Sequence, residues 1–157
     1  MENRDDGGRT GCTFCQVAAA RVEAPLVLED PDVVVFLDHR PLFAGHCLVI
    51  PRRHYESLVE LPPGLASRLF EVARLIARAL EKGLQADGAF VAINNRVSQS
   101  VPHVHIHVVP RRRGDGLKGF FWPRRKYRDS NEVEQVRAAL HAALKSIQEP
   151  GSGGSSV

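Results

Sequence analysis

The order of apolar patterns predicts an α+β fold built on antiparallel strand pairs. Three observations lead there. Short β-branched runs come first, a long amphipathic stripe follows, and more short runs precede a final helical stripe. The early runs are joined by a connection too short for a crossover helix, which favours antiparallel pairing. No regular strand–helix–strand alternation appears, which argues against a parallel sheet.

Taken in order, Thr13 to Ala20 is expected as a short helix. Leu26–Glu29 and Val33–Leu37 are expected as strands around the turn Asp30-Pro31-Asp32. His46 to Ile50 is a third apolar run, closed by Pro51. Pro62-Pro63 suits the opening turn of a helix. Leu65, Leu69, Val72, Ile76, Ala79 and Leu80 then form an apolar stripe at helical spacing, opposite Arg68, Glu71, Arg74, Arg78 and Lys82. Gly83 is the expected stop. Ala89–Ile93 and His103–Val109 are the next strands. A last helix is expected from about Asn131, with Glu134 as capping-box partner and Val133, Val136, Leu140, Leu144 and Ile147 as its stripe.

The chain has 157 residues, 43% hydrophobic and 25% charged, with a formal net charge of +3. These values suit one ordinary globular domain, expected over 11–148. Residues 1–10 and 149–157 are too polar and small to pack, and are expected as disordered or flexible tails. The mild positive charge suits a polyanionic ligand without requiring one. The longest apolar runs are far short of the ~18 residues a membrane span needs. The polar start lacks the apolar stretch of a secretory signal, so a cytoplasmic protein is expected. Its three cysteines then read as thiols or metal ligands, not as a disulfide framework.

Pro102-His103-Val104-His105-Ile106-His107-Val108-Val109-Pro110 is the most informative stretch. In a strand, alternate residues share a face, so His103, His105 and His107 stand together and Val104, Ile106 and Val108 face a helix. At roughly 6.7 Å per two-residue step the outer histidines are about 13 Å apart, too far for one metal ion to bind all three. The imidazoles must divide their labour. A neutral imidazole near pH 7 has a lone pair that can attack phosphorus, provided its other nitrogen carries the proton and is held by an acceptor. Neighbouring imidazoles can then stabilise phosphoryl oxygens and assist the leaving group.

Cys12-Thr13-Phe14-Cys15 has the spacing of a metal clamp. His54 and His103 are the best candidates for two further ligands, which would close a tetrahedral structural zinc site. A redox pair and plain packing are the competing readings. Cys47, alone in an apolar run, reads as a buried core thiol.

His-Val-His-Ile-His-Val-Val resembles the His-φ-His-φ-His-φ-φ signature of the histidine-triad (HIT) nucleotide hydrolases and transferases. The resemblance runs from Cys12 to Trp122. It takes in the Cys-x-x-Cys opening, Phe36-Leu37-Asp38, the segment Gly45 to His54, and Gln99-Ser100-Val101. It implies a five-stranded antiparallel sheet with a long helix packed on it and a C-terminal helix. It also implies hydrolysis or transfer on dinucleoside polyphosphates or nucleoside phosphoramidates, through a covalent histidine–nucleotide intermediate. The alternative is a nucleotide-binding module with little catalysis. By resemblance, His105 is the nucleophile and His107 the phosphate and leaving-group partner. His46 supports the phosphate pocket, and Gln99 and Ser100 donate to phosphate and leaving oxygen. Asp38 holds the ribose, Phe36 and His39 contact the nucleoside, and Asn94 or Asn95 faces phosphate. Cys12, Cys15, His54 and His103 hold structural zinc. A homodimer is implied, with neither membrane nor nucleic acid as partner. The sequence departs from the pattern at Asn94–Ser98, which lacks glycine, and at Pro102, where an aromatic is common.

The segment 111–128 interleaves basic residues with Phe120, Phe121 and Trp122. It could meet a polyphosphate, a second nucleoside or single-stranded nucleic acid, or it could be a solvated basic loop whose aromatics cover the sheet.

Overall fold

The structure is a computed structural model that describes residues 11–117 and 126–148. The described part contains α1 (Thr13–Ala18), β1 (Leu26–Glu29), β2 (Val33–Leu37), β3 (Cys47–Pro51), a 3-10 turn (Leu58–Glu60), α2 (Pro63–Leu84), β4 (Gly88–Ala92), β5 (Ile106–Arg111) and α3 (Ser130–Gln148). The five strands form one sheet in the order β1-β2-β3-β5-β4, with every neighbouring pair antiparallel. The α+β expectation and the five-stranded sheet hold. The chain divides into two compact units, Met1–Gly116 and Leu117–Val157; the sheet, α1 and α2 lie in the first and α3 in the second. Among the described residues no helix is long and apolar enough to cross a membrane.

Strand alternation sorts the side chains into two layers. Val33, Val35, Cys47, Val49, Ile106 and Val108 pack against Leu69, Val72, Ala73, Ile76 and Leu80 of α2. Val34, Phe36, Leu48 and Ile50 pack against Phe14, Cys15, Val17 and Ala18 of α1. Each residue thus falls on one face by parity alone. Cys47 lies in the α2 layer, and burial pushes its thiol up to about 11. The α2 stripe forms as expected, except that Ala73 is buried and Ala79 exposed.

Several boundaries differ from the sequence expectation. The ladder of β5 begins at Ile106, opposite Val49, so His103 and His105 precede it. Val104 is anchored there by its N–H to the Tyr55 carbonyl at 2.7 Å. Helix α2 runs past Gly83 to Leu84 and stops at Gln85, which takes the left-handed conformation at φ 55°. The orphan carbonyls of Leu84 and Gln85 are met by the Arg112 guanidinium at 2.6 and 2.9 Å. That assigns one residue of the basic run to helix capping. Helix α3 is capped by Asp129, whose Oδ1 accepts the Glu132 N–H at 2.8 Å; Glu134 instead pairs with Arg137. Its Val133, Val136 and Leu140 are exposed. The aromatics Phe120, Phe121 and Trp122, both tails, and the side chains of Leu144 and Ile147 lie outside the described residues.

Replacing Arg112 by Ala leaves two helix-end carbonyls without their charged donor. It is expected to cost about 1 kcal/mol of stability, with partial retention in Arg112→Lys, read by urea denaturation.

Candidate active site and metal site

Four ligand-type side chains from three segments converge beside α1. Cys12 and Cys15 come from its first turn, His54 from the loop after β3, and His103 from just before β5. Their donor atoms all lie within 4.8 Å of one another. Cys12 Sγ and Cys15 Sγ are each 3.5 Å from His103 Nδ1, and Cys15 Sγ is 3.3 Å from His54 Nδ1. Tetrahedral zinc with ordinary Zn–S and Zn–N bonds would set such edges at about 3.6 Å. The His103 tautomer is fixed independently. Its Nε2–H donates to the Pro51 carbonyl at 2.9 Å, so Nδ1 presents a lone pair to the thiols. Cys12, Cys15 and His103 are buried. Two thiols and two imidazoles whose donor atoms lie this close suit a closed, four-ligand structural zinc site.

The same backbone logic fixes the remaining imidazoles. His105 Nδ1–H donates to the His103 carbonyl at 2.7 Å, leaving its Nε2 bare. The Leu42 N–H donates to His46 Nδ1 at 3.2 Å, so the His46 proton sits on Nε2. That Nε2–H meets His107 Nδ1 at 3.0 Å, which puts the His107 proton on its own Nε2. The His107 Nε2 is buried and has no hydrogen-bond partner in the structure. The His105 ring stands between Phe14, edge-on with centroids 5.2 Å apart, and His107 at 4.8 Å.

Burial disfavours the charged form of His46, His103, His105 and His107. It pushes His103 down to about 4 against the pull of the Pro51 carbonyl. It takes His107 down to about 4 with help from His105 and His46. His105 and His46 are also lowered by burial, opposed mainly by the His103 carbonyl and by Asp38 respectively.

A cavity of about 490 Å³ opens onto this constellation. His105, His107, Ser100, Asp38, His39 and Phe36 border it, as do the apolar Phe14, Val17, Leu48 and Pro25. Asp38 is positioned by accepting the Arg40 N–H on Oδ1 at 2.8 Å, while its Oδ2 lies 3.7 Å from His46 Nδ1. His39 is largely solvent-exposed at the rim. His46 stands behind His107 and reaches the cavity only through it.

Besides His46, three expected residues are not brought to the lining. Gln99 spends its amide on the loop: Nε2 donates to the Glu56 carbonyl at 2.6 Å and Oε1 accepts the Arg96 N–H at 2.8 Å. Asn95 Oδ1 accepts the Leu58 N–H at 2.8 Å. Asn94 is exposed and lies outside the lining. Without glycine, the loop puts Arg96 and Ser98 at φ 69° and 59°, and these side-chain bonds hold it there. Phe14 was missed from sequence. Its signal was its place between two candidate ligands, which fixes its helix against the sheet.

A family model described as HIT domain matches residues 19–114. An uncharacterised HIT-like protein of Mycobacterium tuberculosis is 39% identical over 108 residues, 68% of this chain and 75% of that protein. The adenylylsulfatase of Arabidopsis thaliana is 33% identical over 108 residues, 68% of this chain and 55% of that protein. A bis(5'-nucleosyl)-tetraphosphatase of Schizosaccharomyces pombe is 37% identical over 82 residues, 51% of this chain and 45% of that enzyme. The chain therefore spans about half the length of these two enzymes. Among solved structures, a protein of Streptococcus mutans shares 34% identity and a TM-score of 0.79, covering 88% of each chain. A zinc-bound histidine triad family protein of Mycobacterium smegmatis shares 39% identity and a TM-score of 0.67, covering 87% of this chain and 97% of that one.

The depressed His107 sets a pH dependence of stability. Above pH 6.5 the ring is neutral folded or unfolded, and its full contribution is present. Below that, the unfolded chain takes up a proton that the folded one resists until about 4, so stability falls across this window. Solvent reaching part of the ring trims the effect to on the order of 1–2 kcal/mol between pH 7 and 5. Urea denaturation should show a smaller acid loss in His107→Gln than in the unmodified protein; equal losses would contradict the assignment.

Proposed function

We propose, from the premise that this chain belongs to the HIT domain family, that it is a nucleotide phosphate hydrolase or nucleotidyl transferase working through a covalent nucleotide on His105. Its substrates are dinucleoside polyphosphates or nucleoside phosphoramidates. One observation carries the reading. Backbone groups leave His105 Nε2 bare and give His107 Nε2 a proton without a partner, and both rings border one cavity. A lone pair and a free N–H side by side match a nucleophile and a phosphoryl-oxygen donor.

In the first step the His105 Nε2 lone pair attacks the α-phosphorus and a P–N bond forms. The bond to the leaving group breaks with its electron pair. A polyphosphate departs as an anion; an amine departs neutral after taking a proton from solvent. His107 Nε2–H donates to a non-bridging oxygen as charge builds there, and His46 holds His107 in that tautomer. The Nδ1–H of His105 stays on the His103 carbonyl, which stabilises the positive ring of the adduct. In the second step water, or another acceptor in transfer, attacks phosphorus. The P–N pair returns to Nε2 and the proton of the attacking group goes to solvent.

Asp38 grips the ribose hydroxyls, Phe36 and His39 flank the nucleoside, and Ser100 donates to the leaving oxygen. Their places on the cavity support these roles. Gln99 and Asn95 enter this reading as anchors of the loop that carries Ser100. Cys12, Cys15, His54 and His103 hold zinc, whose chemistry is structural because four protein ligands close the site. We also infer a cytoplasmic homodimer formed through α2 and a strand, which the exposed Phe70, Leu75 and Val91 support.

Mixing the protein with an adenylyl phosphoramidate should yield a nucleotidyl adduct on His105 by intact-mass analysis. His105→Ala should lose turnover by about 10³-fold or more while retaining nucleotide and zinc. Full turnover in that variant, or no turnover above background in the unmodified protein, overturns the reading. Elemental analysis should find one zinc per chain, and a chelator should lower the melting temperature as the metal leaves.

A further inference from the structure

A second cavity, of about 540 Å³, adjoins the first. It is bordered by Gly11, Cys12, Thr13, His54, Ser100, Val101 and Pro102. Thr13, Ser100 and Val101 border both cavities, so the two are neighbours across that wall. The first is of a size for one nucleotide and is already bordered by His105, His107 and Ser100. A dinucleoside polyphosphate is about twice that ligand. Its second half must leave the first cavity on the side away from His105, because attacking and departing groups lie in line at phosphorus.

The lining of the second cavity suits that half. Thr13 and Ser100 offer hydroxyls, Val101 and Pro102 offer apolar surface, and among the described residues no Asp or Glu borders it. His54 adds a donor. Its Nδ1 faces Cys15 Sγ, so its Nε2 carries the proton. That N–H is buried without a hydrogen-bond partner, on a side chain only 8% exposed. The nearest carboxylate oxygen, Glu56 Oε1, is 3.9 Å away, beyond hydrogen-bond reach.

We propose that this second cavity is the subsite for the leaving half of the substrate, a nucleoside polyphosphate, with Ser100 at the boundary where the scissile bond lies. The proposal rests on the hydrolase or transferase reading and specifies its substrate class: extended polyphosphates are bound at both ends, small phosphoramidates at one.

Gly11 allows a direct test. It borders only the second cavity, it lacks a positive φ, and a Cβ there would meet nothing within 4 Å. Gly11→Trp should fill the cavity and Gly11→Asp should repel a polyanion, while Gly11→Lys should attract one. The readout is the ratio of kcat/KM for diadenosine tetraphosphate to that for adenosine 5'-phosphoramidate, whose leaving group is ammonia. Gly11→Trp should lower the ratio about tenfold, mainly through KM. Gly11→Asp should lower it about threefold at low ionic strength, with recovery in salt, and Gly11→Lys should raise it. Zinc content is measured for each variant. A ratio unchanged in Gly11→Trp and Gly11→Asp, or equal loss of both substrates, overturns the subsite alone. If the unmodified protein turns over neither substrate, the enzymatic reading fails first.

Discussion

Everything at the site hangs on how His103 is held. Its Nε2–H is bound by the Pro51 carbonyl at the end of β3, and its Nδ1 is aimed at the two thiols of α1. Its own carbonyl accepts the Nδ1–H of His105. One buried residue therefore joins the sheet, the first helix and the His105 ring. If its ring turned over, the lone pair would face a carbonyl and the N–H would face sulfur, and the metal set could not close. If its backbone shifted, His105 would lose the acceptor that keeps its Nε2 bare.

The second constraint is the cost of charge in this setting. His46, His103 and His105 are buried, and burial drives their rings and that of His107 toward the neutral form. A neutral imidazole must choose one protonated nitrogen, and here backbone amides and carbonyls make the choice. Fixed backbone groups cannot retitrate, so the tautomers are set by the fold rather than by pH near neutrality. The chain from Leu42 through His46 to His107 consequently has one direction and ends in the unpartnered Nε2–H of a ring that borders the cavity.

Much of this was legible in sequence because parity is a rigid rule. The alternation around Ile106 put Ile106 and Val108 on a helix-covered face, which is the α2 layer, and the Cys-x-x-Cys with His54 and His103 is the set that converges. What failed was local and competitive. The start of β5 depends on where Val49 ends its pairing, and Val104 finds a partner in Tyr55 instead. The stop of α2 passed from Gly83 to Gln85 because Arg112, distant in sequence, meets its last carbonyls. Gln99 reads as a free donor until the loop needs both ends of its amide to hold Arg96 and Ser98 in the left-handed region. None of these long-range bonds leaves a periodic trace.

A six-residue helix such as α1 has too few internal bonds to persist unaided. It nevertheless supplies Phe14 to the cavity wall and to the edge of His105. The structure ties it at both ends. Cys12 and Cys15 stand against His54 and His103 at the start, and the Arg52 guanidinium takes the Ala18 carbonyl at the finish, at 2.7 Å. Arg52 also holds the Asp30 carbonyl and Glu29 at the β1–β2 turn, so the helix end is referenced to the sheet. Phe14 packs edge-on against Phe36, His103 and His105 at once, which leaves the His105 ring little room to tilt. A metal held by Cys12, Cys15, His54 and His103 would therefore act on the cavity by geometry alone: it would hold in place the short helix on which one cavity wall is built.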